Sequence, residues 1–308
     1  LLASLPFDAL LTANSKRLDA DAPFLMKKYS VGLLFSNRLL TEPPPSKRWF
    51  GQPECAIFGI DYRDAPAFFE GNMEGSPVGF TPVLLPFSED ETQSVRRQTS
   101  GKIFQGRQAT AVHFLQETQR TELLHVAAHG IFNDENPMLS GLLFSKNSAE
   151  DTLPNLLTVA GMYGLRTDAA FIFLSACNTG KGQLIESEGV MSFARALTYA
   201  GARSQVMTLW NVGDRSTGQI ATHFYRHLQA GKPKDEALRL AKLAYLADCP
   251  TAVGQHPFFW AGTVAFGNAD PLFVNFYWKW GAVGMAVLLV GLVGFWVRQR
   301  NQMKAFPT

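Results

Sequence analysis

The chain has 308 residues, 46% of them hydrophobic and only 18% charged, a balance that excludes general disorder and suffices for one large core or two small ones. Its 28 Lys+Arg against 26 Asp+Glu leave a formal net charge of +2, so no concentrated basic face argues for nucleic-acid binding. Three cysteines (Cys55, Cys177 and Cys249) form no C-x-x-C pair, which argues against a disulfide framework and against cysteine-ligated zinc.

The chain opens at Leu1 rather than Met, which reads as a processed product or a piece of something longer. The stiff Pro43-Pro44-Pro45 stretch leads into a first apolar run, Cys55–Ile60, of strand length. Ser88-x-x-Glu91 has the form of a capping box and predicts a polar helix to about Thr99. A brief strand over Lys102–Gln105 and a helix around Thr110–Thr118 follow. Glu122–Ala127 and Ala169–Ser175 are continuous apolar runs, the pattern of strands covered on both faces. Next come a helix over Gly189–Tyr199, a strand over Gln205–Leu209, and helices over Thr217–Gln229 and Lys234–Ala247, parted at Gly231 and Pro233. A last strand is expected over His256–Phe266. Strands alternating with helices predict an α/β fold with a mainly parallel sheet and helices on both faces. Loops near 42–47, 64–82 and 145–153 are the disorder candidates.

Beyond Asp270-Pro271 the composition changes. Gly281–Val297 holds seventeen residues without a charge, behind Trp278, Lys279 and Trp280 and ahead of Arg298, Arg300 and Lys304. An apolar run between aromatic and then cationic flanks predicts a transmembrane helix at about 278–297 with a short basic tail; a buried C-terminal helix is the competing reading. The cations after the span favour a cytoplasmic C-terminus, which would put the rest of the chain on the far side, periplasmic in a bacterium. Lys279 and three unpaired cysteines weigh the other way.

In open parallel sheets, chemistry gathers beyond the carboxyl ends of the strands. Two predicted strands end this way, one running into Ala128-His129-Gly130 and the other into Ala176-Cys177-Asn178-Thr179-Gly180. If those strands are neighbours, a thiol and an imidazole 48 residues apart in sequence meet at one rim. That pair suits acyl transfer: a thiolate attacks a carbonyl and an imidazole protonates the departing amine. The N–H groups of Gly130 and Cys177 would hold the oxyanion, at about 3 kcal/mol per donor. A capping histidine beside a buried cysteine would satisfy the same spacing.

These residues carry a resemblance. His125-x-x-x-His129-Gly130, Leu174-Ser175-Ala176-Cys177-Asn178-Thr179-Gly180, Glu188-Gly189, Ala200-Gly201-Ala202-Arg203-Ser204, Leu209-Trp210-Asn211-Val212-x-Asp214 and His256-Pro257-x-x-Trp260-Ala261 follow the order of the CHAT domains. The opening Leu5-Pro6-Phe7-Asp8-Ala9-Leu10, with Phe35-Ser36 further on, resembles the start of the same domain, so the likeness spans roughly Leu1 to Gly267. CHAT domains are caspase-like cysteine peptidases related to separase and often found behind TPR repeats. The resemblance implies a caspase-like fold, with residues 1–54 as its N-terminal part and 55–269 as the catalytic core; the composition beyond it makes 270–308 the membrane segment with its basic tail. It implies His129 and Cys177 as the dyad. It sets Asp214 where the separase branch holds an acidic residue in the pocket for the side chain before the cut, favouring Arg or Lys; an N-cap or turn role competes. Trp210 walls the groove or packs the sheet edge. The short Lys181–Ser187 loop argues against maturation by internal cleavage, and no paired carboxylates suggest calcium.

The expected function is therefore a membrane-anchored cysteine endopeptidase acting on a protein partner after a basic residue. It would need no cofactor and no metal, and upstream repeats or a partner would control it. A catalytically idle CHAT scaffold at the membrane is the alternative, and a redox-sensing thiol at Cys177 the third. His223 and His227 have helical metal-ligand spacing but neither the zincin Glu nor a third ligand. His125, inside the strand that leads to His129, is expected as a satisfied core histidine or one supporting the dyad from behind, His113 as a helix-surface residue, and Cys55 and Cys249 as packing residues.

Overall fold

The structure is a computed structural model that describes residues 5–35, 54–60, 62, 85–133, 135–146, 155–178, 187–210, 212–273 and 284–296; for 177, 178 and 187–191 it describes the backbone alone. The chain divides into two units, Leu1–Phe273 and Val274–Thr308.

The first unit lays down β1 (Gly32–Leu33), β2 (Glu54–Gly59), α1 (Ser88–Gln98), β3 (Ser100–Gln105), α2 (Ala111–Glu117), β4 (Leu123–Ile131), β5 (Gly141–Leu143), β6 (Leu156–Thr158), α3 (Val159–Tyr163), β7 (Phe171–Asn178), α4 (Ser187–Ala200), β8 (Ser204–Thr208), α5 (Asp214–Gln229), α6 (Lys234–Asp248) and β9 (Thr263–Gly267). One sheet takes the order β1-β9-β8-β7-β4-β2-β3, with β5 joined to β4 and β6 to β5. The pairs β3–β2, β2–β4, β4–β7, β7–β8 and β9–β1 are parallel. The pairs β8–β9, β4–β5 and β5–β6 are antiparallel. This is a mixed α/β fold with a largely parallel central sheet.

Alternation along the strands splits the core in two. Ala56, Phe58, Leu124, Val126, Ile172 and Leu174 pack on one face with Phe114 of α2, Met162 of α3 and Leu197 of α4. Cys55, Ile57, Leu123, Phe171 and Phe173 pack on the other with Val95 of α1, Phe224 of α5 and Leu238 of α6. Because both faces are covered, β4 is buried along its whole length, and its sequence reads as a continuous apolar run rather than an alternating one.

The segment before β2 is stitched into the same unit. Asp8 forms a buried ion pair with Lys242 of α6, and Phe24 meets Trp260 edge to face at 4.9 Å. Arg239 donates to the Met26 carbonyl (3.2 Å), and Phe35 stacks on Phe266 at 5.3 Å.

The structure departs from the sequence expectations in instructive places. β4 and β7 run on to Ile131 and Asn178, past the expected ends at Ala127 and Ser175, because Gly130 has pairing partners on both sides: Asn178 of β7 and Leu142 of β5. Ser88 and Glu91 form no capping box: the N-cap of α1 is Phe87, and the Glu91 carboxylate turns inward to Ser175 and His125. The expected last strand is broken by a turn at Pro257–Phe259, capped by His256, which lets Trp260 enter the core; only Thr263–Gly267 is strand. β1, β5 and β6, two or three residues each, have no counterpart in the sequence reading. Of the disorder candidates, 42–47, 64–82 and 147–153 lie outside the described residues, as do most of the Lys181–Ser187 loop and residues 36 and 211.

In the second unit, residues 284–296 form a helix, with Met285, Leu288, Leu292, Phe295 and Trp296 exposed. No helix among the described residues is long and apolar enough to cross a membrane. The expected span also covers 278–283 and 297, which lie outside them.

Candidate active site

Strands β4, β7 and β8 are mutually parallel neighbours, so their carboxyl ends form one rim. The register pairs His125 with Phe173, Ala127 with Ser175 and His129 with Cys177. Positions 129 and 177 are therefore register-matched neighbours at this rim.

His129 is fully buried. Its ring stacks on Tyr62, with centroids 4.2 Å apart and planes within 21°. Its backbone N–H donates to the Tyr62 hydroxyl (2.8 Å), which in turn donates to the Leu143 carbonyl of β5 (2.7 Å). Since His129 faces Leu143 in the β4–β5 register, the phenol stands between two backbone groups that would otherwise pair with each other. Tyr62 holds φ at 58°, the left-handed region, as a non-glycine, at about 1–2 kcal/mol of local strain. Burial pushes its hydroxyl well above the ordinary tyrosine range, against the opposing bond from His129.

Gly130 sits inside β4, not in a turn. A Cβ there would come within 2.9 Å of the Phe132 ring, which packs edge to face on Phe193 of α4 at 5.2 Å. Its lack of a side chain therefore admits an aromatic neighbour.

Asp214 is the first residue of α5, behind Gly213 as N-cap. One carboxylate oxygen accepts the Phe87 N–H at the start of α1 (2.9 Å). Burial, reinforced by the charge of Glu91 and opposed by the Phe87 bond, raises its pKa from 3.8 to about 6. The N-cap role thus falls to Gly213 and the Asp214 carboxylate ties α5 to the start of α1, while the residue as a whole is partly exposed. Trp210 lies two residues past β8. Its Nε1 donates to the Phe258 carbonyl (2.9 Å), its ring stacks on Phe258 at 6.5 Å, and its six-membered ring rests on Gly262. Beside it Ala252, Val253, His256, Phe258 and Phe259 line an open apolar hollow.

Beneath the rim lies a buried polar cluster that sequence reasoning missed. Glu91 accepts from Ser175 (3.1 Å) and stands 3.2 Å from His125 Nε2, whose Nδ1 meets the Tyr225 hydroxyl at 3.3 Å. Burial, with the nearby Cys55 and Glu91, pushes the Tyr225 hydroxyl well up. The Cys55 thiol is pushed up to about 12 by burial, which leaves it without thiolate chemistry near neutrality. Glu91 carried one legible signal, an acid four residues before Val95 on the apolar side of an otherwise polar helix, whereas Tyr62 carried none.

Two of the remaining histidines have their own partners. His113 Nδ1 meets the Gln108 carbonyl at 2.7 Å, and His223 Nε2 lies 3.1 Å from Asp248. Among the described residues no group of three or more His, Cys, Asp or Glu is arranged to hold a metal ion.

The family model of the CHAT domain matches residues 1–268. Among solved structures, the Arg-specific cysteine proteinase gingipain R (RgpB) is similar at 12% identity and TM-score 0.42, covering 72% of this chain and 48% of that one. The complex of the Porphyromonas gingivalis RgpB pro- and mature domains is similar at 11% identity and TM-score 0.43, covering 74% and 49%. The chain thus spans about half the length of these structures. No curated protein matches it.

Proposed function

The chain belongs to the CHAT domain family, and from that membership we propose that it is a membrane-anchored cysteine endopeptidase that cuts a protein partner after Arg or Lys. The observation that carries the reading is the β4–β7 register, which sets positions 129 and 177 side by side at the carboxyl rim of a largely parallel sheet.

In this reading the Cys177 thiolate attacks the scissile carbonyl and forms a tetrahedral oxyanion, held by the N–H groups of Cys177 and Gly130. His129 then gives a proton to the departing amine, and the C–N bond breaks to leave a thioester on Cys177. Water, losing its proton to the imidazole, hydrolyses the thioester and restores thiol and ring. Asp214, ionised above about pH 6, would receive the cation of the residue before the cut through a charge-assisted bond, with Trp210 as a flat wall beside it. The apolar run Gly281–Val297 and its aromatic and basic flanks support a bilayer anchor at about 278–297. Upstream repeats or a partner protein would control access.

The test uses the full chain in detergent with peptides carrying Arg, Lys or Asp before a reporter amide. Turnover is expected with Arg and Lys and not with Asp, and should vanish in Cys177→Ala while the melting curve stays the same. Turnover of none of the three, with the partner proteins of its native membrane restored, would leave the scaffold reading in its place. Anchoring is read separately: the protein should remain in the membrane pellet through carbonate washing, and recovery in the supernatant would overturn it.

A further inference from the structure

The Tyr62–His129 arrangement does more than fill space. A stacked aromatic fixes the plane of the ring it covers while leaving that ring's edge, where both nitrogens lie, to face elsewhere. The hydroxyl acts on the backbone: accepting from the His129 N–H and donating to the Leu143 carbonyl, it locks the Cα of His129 against β5. One side chain thus fixes both ends of the histidine, the ring by its face and the main chain by its oxygen. It does so from a left-handed backbone conformation and from the end of β2, the strand paired to β4 on the side away from β7. Tyrosine alone serves both contacts: phenylalanine would keep the stack and lose the bridge, and an aliphatic residue would lose both.

We infer that Tyr62 is a positioning residue for His129, holding the imidazole in the orientation that delivers its proton to the leaving amine. This rests on the peptidase reading. It assigns a role to a residue outside the dyad, the oxyanion donors and the substrate pocket.

The test compares Tyr62→Phe and Tyr62→Leu with the parent in two measurements on the full chain. The first is steady-state cleavage of the Arg reporter peptide. The expected losses are about tenfold in kcat for Phe and about 100-fold for Leu, with KM within twofold of the parent in both, since small misplacements of a reacting group cost this much. A merely structural tyrosine would instead lower the fraction of folded protein, and melting curves taken beside the kinetics read that fraction. The second measurement needs no turnover: the His129 Cε1–H resonance in histidine-labelled protein, assigned by its loss in His129→Gln. Ring current from Tyr62 places it upfield; Phe should keep it there and Leu should release it. A Leu variant with parental kcat, or a His129 resonance that stays put on Tyr62→Leu, overturns the inference. A resonance that moves in a parent protein that cuts no peptide overturns the peptidase reading and keeps the contact.

Discussion

Replacing the Asp214 carboxylate by a carboxamide removes a charge and keeps a hydrogen-bond acceptor, since the Asn oxygen can still take the Phe87 N–H. What changes is the cost of ionising a half-buried acid beside Glu91. Folding raises the carboxyl from 3.8 to about 6, burial being the largest cause. A pKa raised on folding gives stability that is fully present below the unfolded value, near pH 4, and is lost as pH rises through the folded value, near pH 6. One pH unit of displacement corresponds to about 1.4 kcal/mol, so the full cost above pH 6 is about 3 kcal/mol. Solvent screening of a side chain that is only half covered reduces it to about 1–2 kcal/mol. The favourable first-turn position of the anion on α5 is worth about 0.5 kcal/mol, too little to reverse the sign. Asp214→Asn should therefore be more stable than the parent by about 1–2 kcal/mol at pH 7.5, or about 2–6 °C in melting temperature for a unit of this size. The advantage should shrink to nothing near pH 4. Scanning calorimetry of both proteins from pH 4 to 8 measures the gap. An Asn variant less stable at pH 7.5, or a gap of constant size across that range, would refute the argument. If Asp214 receives the side chain before the cut, as proposed above, the same variant should also lose selectivity for Arg and Lys over neutral residues, so that stability is gained where selectivity is lost.

Two further outcomes follow from the interior. Glu91→Ala strips Ser175 of its carboxylate acceptor and His125 of its charged neighbour, both in buried surroundings, and should cost about 2–4 kcal/mol in denaturant unfolding; Glu91→Gln should recover most of it, and equal losses in both variants would show that the polar contacts contribute nothing. Gly130→Ala drives a methyl into Phe132 and, through it, Phe193, with an expected loss of about 1–3 kcal/mol; trimming the obstacle in Gly130→Ala/Phe132→Leu should restore part of it, and a fully stable single variant would contradict the packing described.

The parts of the fold legible in the sequence were those whose environment is uniform. β4 and β7 are buried on both faces, so their residues read as unbroken apolar runs, and the alternation of strands with helices followed from them. Their ends were misjudged for a physical reason: His129 and Gly130 look like loop residues by composition, but strands on both sides hold their backbone in the sheet. β5 and β6 are too short to show a period, and their register comes from β4. Glu91 has the local signature of a helix cap, yet His125 and Ser175, far along the chain, take its carboxylate instead. Tyr62 lies in a stretch with no pattern at all; its contacts exist only once β2 and β4 are paired. The rim rule was usable in advance because it depends on strand direction alone, and direction was readable from the connections.

β1 has a consequence out of proportion to its two residues. It lies parallel to β9, with Gly32 opposite Ala265 and Leu33 opposite Phe266, and Phe35 beyond it covers the Phe266 ring. Without the first thirty-five residues, β9 would become the outermost strand, with bare backbone donors and acceptors beside an uncovered phenylalanine, a template for sticking to other chains. Lys242 would also be stranded without its countercharge. A fragment trimmed to start at the second strand should therefore clump rather than fold, and soluble material for biochemistry has to carry the leading segment as a fixed part of the sheet.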